Sequence, residues 1–472
     1  MNNRYLKPLM AILTVLTFFT NAMAQDSQTM MLMKGMPQSA SMNPALHKDS
    51  STLVIGLPVF SGMYFDLNSG FALNDLIHKG TGLLSDSLVM DIENFHNKLK
   101  STNNIVQNFS MPLFYLGIRK KSSFFSFGIT ENQMMRFSFD KSLITFIKDG
   151  NAPYVGKNFD LGNLDMDAFH YREFALGYSN EVIKNKLTLG IKAKMLYGKF
   201  GYQTQWMNQQ VETASDGSSV LLKSRMNINM SGPVTPEFNP DGSFNGMNSD
   251  NFDAVDYLLQ KGNRGMAFDL GAVYKLTPRI TFFGSITDMG KISFQKDLNN
   301  LDYTFSYKWE GVDFSNSVNE AQQDYVDPAD LMENETNKIE ESFKPKRSDF
   351  SSESFSMTVP MKMYLGGSYD LTNNVNFGLV DRLYKNGDFT QNGLTLSANT
   401  LIGNFLSLSG SYSAIGQAYD NLGLGMAIRA GFFQFYMVTD NILAVAPSRA
   451  QYVNARFGVN LLFGRKKLES GL

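Results

Sequence analysis

Residues 186–198, KLTLGIKAKMLYG, alternate in character without a break. Leu187, Leu189, Ile191, Ala193, Met195 and Tyr197 hold one parity, and Thr188, Gly190, Lys192, Lys194, Leu196 and Gly198 hold the other. A period of two puts the apolar set on one face of a strand and both lysines on the opposite face. Strands in soluble sandwiches run to about 5–6 residues, whereas a strand that crosses a bilayer needs about 9–11. The length of this run therefore predicts a membrane-crossing strand. Lipid offers no hydrogen-bond partner to the backbone, so strands can cross it only in a closed ring. The expected fold class is all-β, a transmembrane antiparallel β-barrel.

The same parity returns in ARFGVNLLF (455–463), LSLSGSY (406–412) and LGLGMAIRA (422–430). A Lys or Arg facing lipid near mid-membrane costs about 2–4 kcal/mol. Lys192, Lys194, Arg429 and Arg456 are therefore expected to face the lumen or the rims. Comparable runs begin near Phe109, Phe124, Tyr171, Leu221, Met266, Ile280, Tyr303, Ser356, Val375, Leu394, Phe405, Leu422, Phe433 and Val453. They predict about fourteen strands, an even number as such barrels require. Short turns such as LTPR (276–279) and LTNNV (371–375) belong on the periplasmic side and long loops outside.

Composition agrees with strands and turns. The chain of 472 residues has 39 Gly, 38 Phe and 20 Tyr against 2 Trp. A net charge of −2 gives no reason to expect nucleic acid as a partner. There is no Cys, so no disulfide and no lipoprotein anchor is available. Arg4 and Lys7, the apolar run Leu9 to Phe19 and the small-x-small Ala22-Met23-Ala24 predict a signal peptide over 1–24. The expected destination is the outer membrane of a Gram-negative bacterium, with its lipid as the surrounding partner.

The expected organisation after the signal is an N-terminal plug over 25–50, a barrel over 51–464 and a tail over 465–472. TLVIGLPVF (52–60) reads as the first wall strand. Long loops are expected at 64–104, 201–218, 232–263 and 310–353. Leu88, Ile92, Phe95 and Leu99 recur at helical spacing, and Asp327-Pro328 reads as the start of a helix. In SASMNPAL, Pro44 fixes its own backbone and pushes Asn43 out of the helical region, while Asn43 can cap a turn.

Motifs of catalysis do not stand out. The four histidines, His47, His78, His96 and His170, form no metal-ligand spacing. Neither a nucleophile elbow nor a phosphate-binding loop is present. No enzyme activity, metal or cofactor is expected. A rim hydrolase built on His170 is the remote alternative, and 27 scattered methionines read as wall and plug packing.

Three stretches together, SMNPAL, NRGMAFDLGAVYKLTPRITFFGSITDMG and GFFQFYMVTDNILAVAPSRAQYVNARFGVNLLFG, resemble an outer-membrane barrel family labelled only as a domain of unknown function, set among FadL-like and PorV-like barrels. In FadL-like barrels an Asn-Pro-Ala segment lies in a hatch on the ligand path. That resemblance implies plug or ligand-path roles for Asn43, Pro44 and Ala45. PorV-like barrels instead serve as partners of secreted or surface proteins. Two functions are carried forward: a passive or gated channel for small molecules, hydrophobic ones included, and a non-transporting scaffold or secretion partner for surface proteins.

Overall fold

A computed structural model describes residues 28–465 except 81, 83–84, 251, 316–324, 417 and 446. The expected signal peptide and most of the tail lie outside the described residues. Eighteen strands carry the architecture. They are β1 (Ser51–Gly56), β2 (Met63–Asn68), β3 (Thr102–Lys120), β4 (Ser123–Asp140), β5 (Asn158–Ile183), β6 (Leu187–Thr213), β7 (Val220–Ser231), β8 (Asn263–Lys275) and β9 (Ile280–Phe294). The chain continues through β10 (Asn300–Trp309), β11 (Phe355–Thr358), β12 (Met361–Asp370), β13 (Val375–Asn386), β14 (Phe389–Ile402), β15 (Leu406–Ile415), β16 (Ala418–Ala430), β17 (Phe433–Thr439) and β18 (Tyr452–Arg465).

The ring closes because β1 and β2 each pair with β3 on one side and β18 on the other. Counting β1 with β2 and β11 with β12 as single wall strands, the barrel has fourteen antiparallel strands. Parity along each strand decides which face meets lipid. Leu189, Ile191 and Met195 are 45–50% exposed, while Lys194 between them is 6% exposed. Leu365, Leu396 and Leu424 extend the exposed apolar band around the ring, and Asn399, Ser409 and Asp269 are buried inside. This outward apolar band on a closed ring is that of a transmembrane barrel.

Ring membership differs from the sequence expectation at two strands. β7 and β10, the runs beginning near Leu221 and Tyr303, are not in the ring. β7 pairs with the upper half of β6 and β10 pairs with β7, forming a flap above the wall. β6 and the β1–β2 strand, expected in the wall from KLTLGIKAKMLYG and TLVIGLPVF, complete the fourteen. Residues 201–213, expected to be a connection, are that upper half of β6. At 27 residues β6 spans roughly 90 Å, far beyond what a bilayer requires.

The loop expected over 64–104 also contracts, since 64–68 belong to β2 and 102–104 to β3. Within it the helical spacing is realised only over Ile92–Lys98 (α1), where Phe95 is buried; Leu88 lies in a short strand. Ala254–Leu259 (α2) crosses the 232–263 loop, and Pro328–Ser342 (α3) starts as expected, with Asp327 accepting a hydrogen bond from Ala329 N.

The run TLVIGLPVF is not one strand. Residues 57–62 interrupt it, while β18 supplies only Gly458 and Val459 between the partners of Gly56 and Met63. The extra chain loops out of register. A Cβ on Gly458 would stand 2.7 Å from Gly62 N, so only glycine fits beneath the break.

Candidate functional site: a lumenal segment and its seat

Residues 28–50 lie in the lumen. The segment has two short helical turns, Gln28–Met31 and Ser39–Met42, and its five methionines, Met30, Met31, Met33, Met36 and Met42, are all fully buried against inward-facing Val273, Phe283, Tyr364, Val380, Tyr436 and Val438. Methionine fills irregular gaps without a fixed shape, which suits a segment that packs against several strands at once.

Polar bonds set its register. At the loop end, Asp440 accepts from Gln28 N at 3.1 Å, Thr29 N at 2.9 Å and the Thr29 hydroxyl. At the turn end, Lys34 Nζ donates to Asp370 Oδ1 at 2.9 Å and Asn373 O at 2.8 Å. Between them Ser407 and Ser409 donate to the carbonyls of Lys34 and Thr29, and Gln434 to that of Gly35. Gln38 donates to Asn460 Oδ1 and to Ser61 O in the wall break, and Tyr436 also donates to Ser61 O. The break and the segment are thereby joined.

Glycines make the seat. A Cβ on Gly271 would meet Asn43 Oδ1 at 2.1 Å, one on Gly378 would meet Leu32 at 1.9 Å, and one on Gly190 would meet the backbone of Pro44 at 2.5 Å. The Pro44 contact is with main chain, which cannot rotate away. Gly190→Ala is therefore expected to unseat the segment, since overpacking costs about 1–3 kcal/mol. Hydrogen-exchange protection over 28–50 should drop about ten- to a hundredfold while unboiled gel migration stays that of a closed barrel. Unchanged protection would contradict this seat.

Asn43 is fully buried. Its amide donates to Ala272 O and Gly284 O at 3.3 and 3.1 Å, and its Oδ1 accepts from Ala45 N at 2.9 Å. Asn43-Pro44-Ala45 is thus a side-chain-closed turn pinned to the backbones of β8 and β9. Lys192 lies close by, donating to Ala40 O at 3.2 Å.

The lysines form a cluster that sequence reading did not find. Lys194 Nζ lies 2.5 Å from Asp288, 2.9 Å from Asp269 and 3.6 Å from Glu173. Lys192 is 3.5 Å from Asp269, and Lys362 is 3.4 Å from Asp288. Both aspartates sit where the β8–β9 register slips between Phe268 and Leu270, with Asp288 at φ +63° and its N–H bound to Asp269. Bulges of this kind re-aim side chains into a lumen. The signal was legible: Asp269 and Asp288 interrupt apolar stretches. The two arginines lie elsewhere. Arg429 donates to Gly431 O and Leu462 O near the turn end, and Arg456 is buried with its guanidinium 5.9 Å from the Tyr64 ring.

His47 bonds Ser179 Oγ at 2.6 Å beside the Phe124 ring. Burial, together with the charges of Arg119 and Lys192, pushes its pKa down to about 3. The seated segment holds neutral imidazole, whereas the released one titrates near about 6.5. Release therefore takes up a proton, so seating weakens as pH falls below about 6.5 toward 3. Protection of residues 28–50, corrected for intrinsic exchange, should fall between about pH 7.5 and pH 5, and His47→Gln should flatten that dependence. A profile flat in the native protein would refute the linkage.

His170 bonds Tyr257 through Nδ1 at 2.8 Å and Glu131 through Nε2 at 3.1 Å. Both ring nitrogens are engaged, so the residue ties the loop helix α2 to the wall and presents no free nitrogen to a serine.

Fold and site together define a transmembrane β-barrel whose own N-terminal segment is bound in its lumen. The chain belongs to a family of unknown function, DUF5723, whose model matches residues 44–440. No curated protein matches it in sequence. Among solved structures it is similar to the CymD monoaromatic hydrocarbon channel, at 9% identity and TM-score 0.41 over 94% of this chain and 98% of that one. It is also similar to the Pseudomonas putida toluene transporter TodX, at 8% identity and TM-score 0.36 over 93% and 94%. A Pseudomonas aeruginosa FadL homologue matches at 10% identity and TM-score 0.30 over 91% and 92%.

Proposed function

We propose that the protein is an outer-membrane channel for small molecules, with residues 28–50 as a plug whose release opens the lumen. The observation that carries this reading is how the segment is held. It is continuous with the wall only at β1, it is bonded to inward-facing Ser, Gln and Asp side chains, its methionines fill the lumen, and Leu32, Asn43 and Pro44 sit against wall glycines. Polar bonds of about 0.5–1.5 kcal/mol each can be exchanged for water as the segment leaves.

The test is liposome swelling in arabinose with the full-length protein and with a form lacking residues 28–48 but keeping the export signal. The deletion should swell vesicles at least about tenfold faster while its unboiled gel migration still reports a closed barrel. Equal rates for the two folded forms would remove the gating reading, and no swelling by either would remove the channel.

A further inference from the structure

The short turns of the barrel are not alike in charge. Three of them, at 121–122, 184–186 and 276–279, join strands that follow one another around the ring as β3, β4, β5, β6, β8 and β9. In and beside these turns stand Lys120, Lys121, Lys184, Lys186, Lys275 and Arg279, all exposed. The turns at 371–374, 403–405 and 431–432 hold no charged residue, and beside them stands only Asp370, which Lys34 takes up. Positive charge is thus gathered on one arc of the rim.

The protein itself does not neutralise that arc. None of the six bases forms an ion pair among the described residues. Glu181, the one carboxylate in these hairpin ends, accepts instead from Asn185 N at 2.6 Å. Aromatic side chains fix what lies alongside. Phe125, Tyr274, Tyr369, Phe377, Phe405 and Phe433 face outward, 36–55% exposed, in or within three residues of a short turn. A ring of this kind marks the depth at which hydrocarbon gives way to headgroups. Lys186 Nζ lies 5.9 Å from the Tyr274 ring, with its stem along the girdle and its ammonium at headgroup level.

We infer that the rim from β3 to β9 is a binding surface for anionic phospholipid headgroups of the periplasmic leaflet. The girdle selects lipid over an acidic protein as the occupant, because the bases border a surface that already meets the membrane. Attraction of this kind adds up over neighbouring bases and is screened by salt. It requires no opening of the lumen, so it holds for a channel and for a closed barrel alike.

The experiment reconstitutes the full-length protein in bilayers of equal phosphatidylglycerol and phosphatidylcholine, extracts it in mild detergent, and counts the phospholipid it keeps by mass spectrometry. At low salt phosphatidylglycerol should exceed phosphatidylcholine by about threefold or more. Near about 0.5 M salt that ratio should fall toward about one. Replacing all six bases (Lys120→Gln, Lys121→Gln, Lys184→Gln, Lys186→Gln, Lys275→Gln, Arg279→Gln) should bring it to about one at low salt, with heat-modifiable migration retained. Lys223→Gln, Lys308→Gln and Lys338→Gln together, exposed on the loop side, should leave it unchanged. Should the variant with six replacements fail to fold, Lys184→Gln with Lys186→Gln is the second probe, expected to cut the excess by about a third or more. Equal retention of the two lipids by the native protein would overturn the inference and leave the arc to an acidic protein. An excess indifferent to salt, or one that survives loss of the turn bases, would overturn it as well.

Discussion

Asp440→Ala frees the upper end of the lumenal segment while leaving the ring closed. Its carboxylate takes the backbone N–H groups of Gln28 and Thr29, the Thr29 hydroxyl and the Asn454 amide, all buried. Alanine cannot accept from any of them. Each buried donor left unmet costs about 1–3 kcal/mol, which sums to on the order of 3 kcal/mol or more once water reaches some of them. That is about a hundredfold in the released population. Proteolysis follows the open population when closing is fast, so cleavage within residues 28–50 should accelerate by about the same factor. Arabinose swelling by the same variant should rise with it. Cleavage at the native rate would mean that the segment is anchored elsewhere.

Lys194→Met should be the most destabilising single change in the wall. It leaves Asp269, fully buried, and Asp288 facing each other with Lys192 and Lys362 no closer than 3.5 and 3.4 Å. Removing one partner of a buried pair costs about 3–5 kcal/mol, because the remaining charge stays without water. The urea midpoint in micelles should drop accordingly. Adding Asp269→Asn and Asp288→Asn should recover most of it, since amides carry no charge to strand. A loss under about 1 kcal/mol for Lys194→Met alone would show that water reaches the cluster.

The wall was readable because membrane parity is a strong local code. Leu187 to Tyr197 face out and Lys194 faces in as the alternation demands. Alternation does not say which strand a strand pairs with, and that is why β7 and β10 were expected in the ring. The polar residues 201–213 show the converse: above the lipid both faces of a strand meet water, so no apolar face is selected and the run resembles a loop. The break at 57–62 hides within an apolar stretch, for its cause lies in Gly458, four hundred residues away. By alternation alone Gly423, Gly425, Ser407, Ser409 and Ser411 read as the polar side of two strands. Gly423, Gly425, Ser407, Ser409 and Ser411 are small because another piece of chain touches them. Asp269 and Asp288 meet only through a register slip, which no periodicity encodes.

The wall break sits in the strand that joins the two ends of the chain. β1 and β2 bond on one side to β18, the last of the ring strands in chain order, and residues 28–50 precede them. Gln28 meets Asp440 across 412 positions of sequence. Contacts of such separation form late, after the loops between them have been closed. The order of assembly follows: the sheet from β3 to β17 can curl on its own, and the seam at β1–β18 zips last. The lumenal segment, continuous with β1, is carried to the inner face by the same strand whose pairing completes the ring.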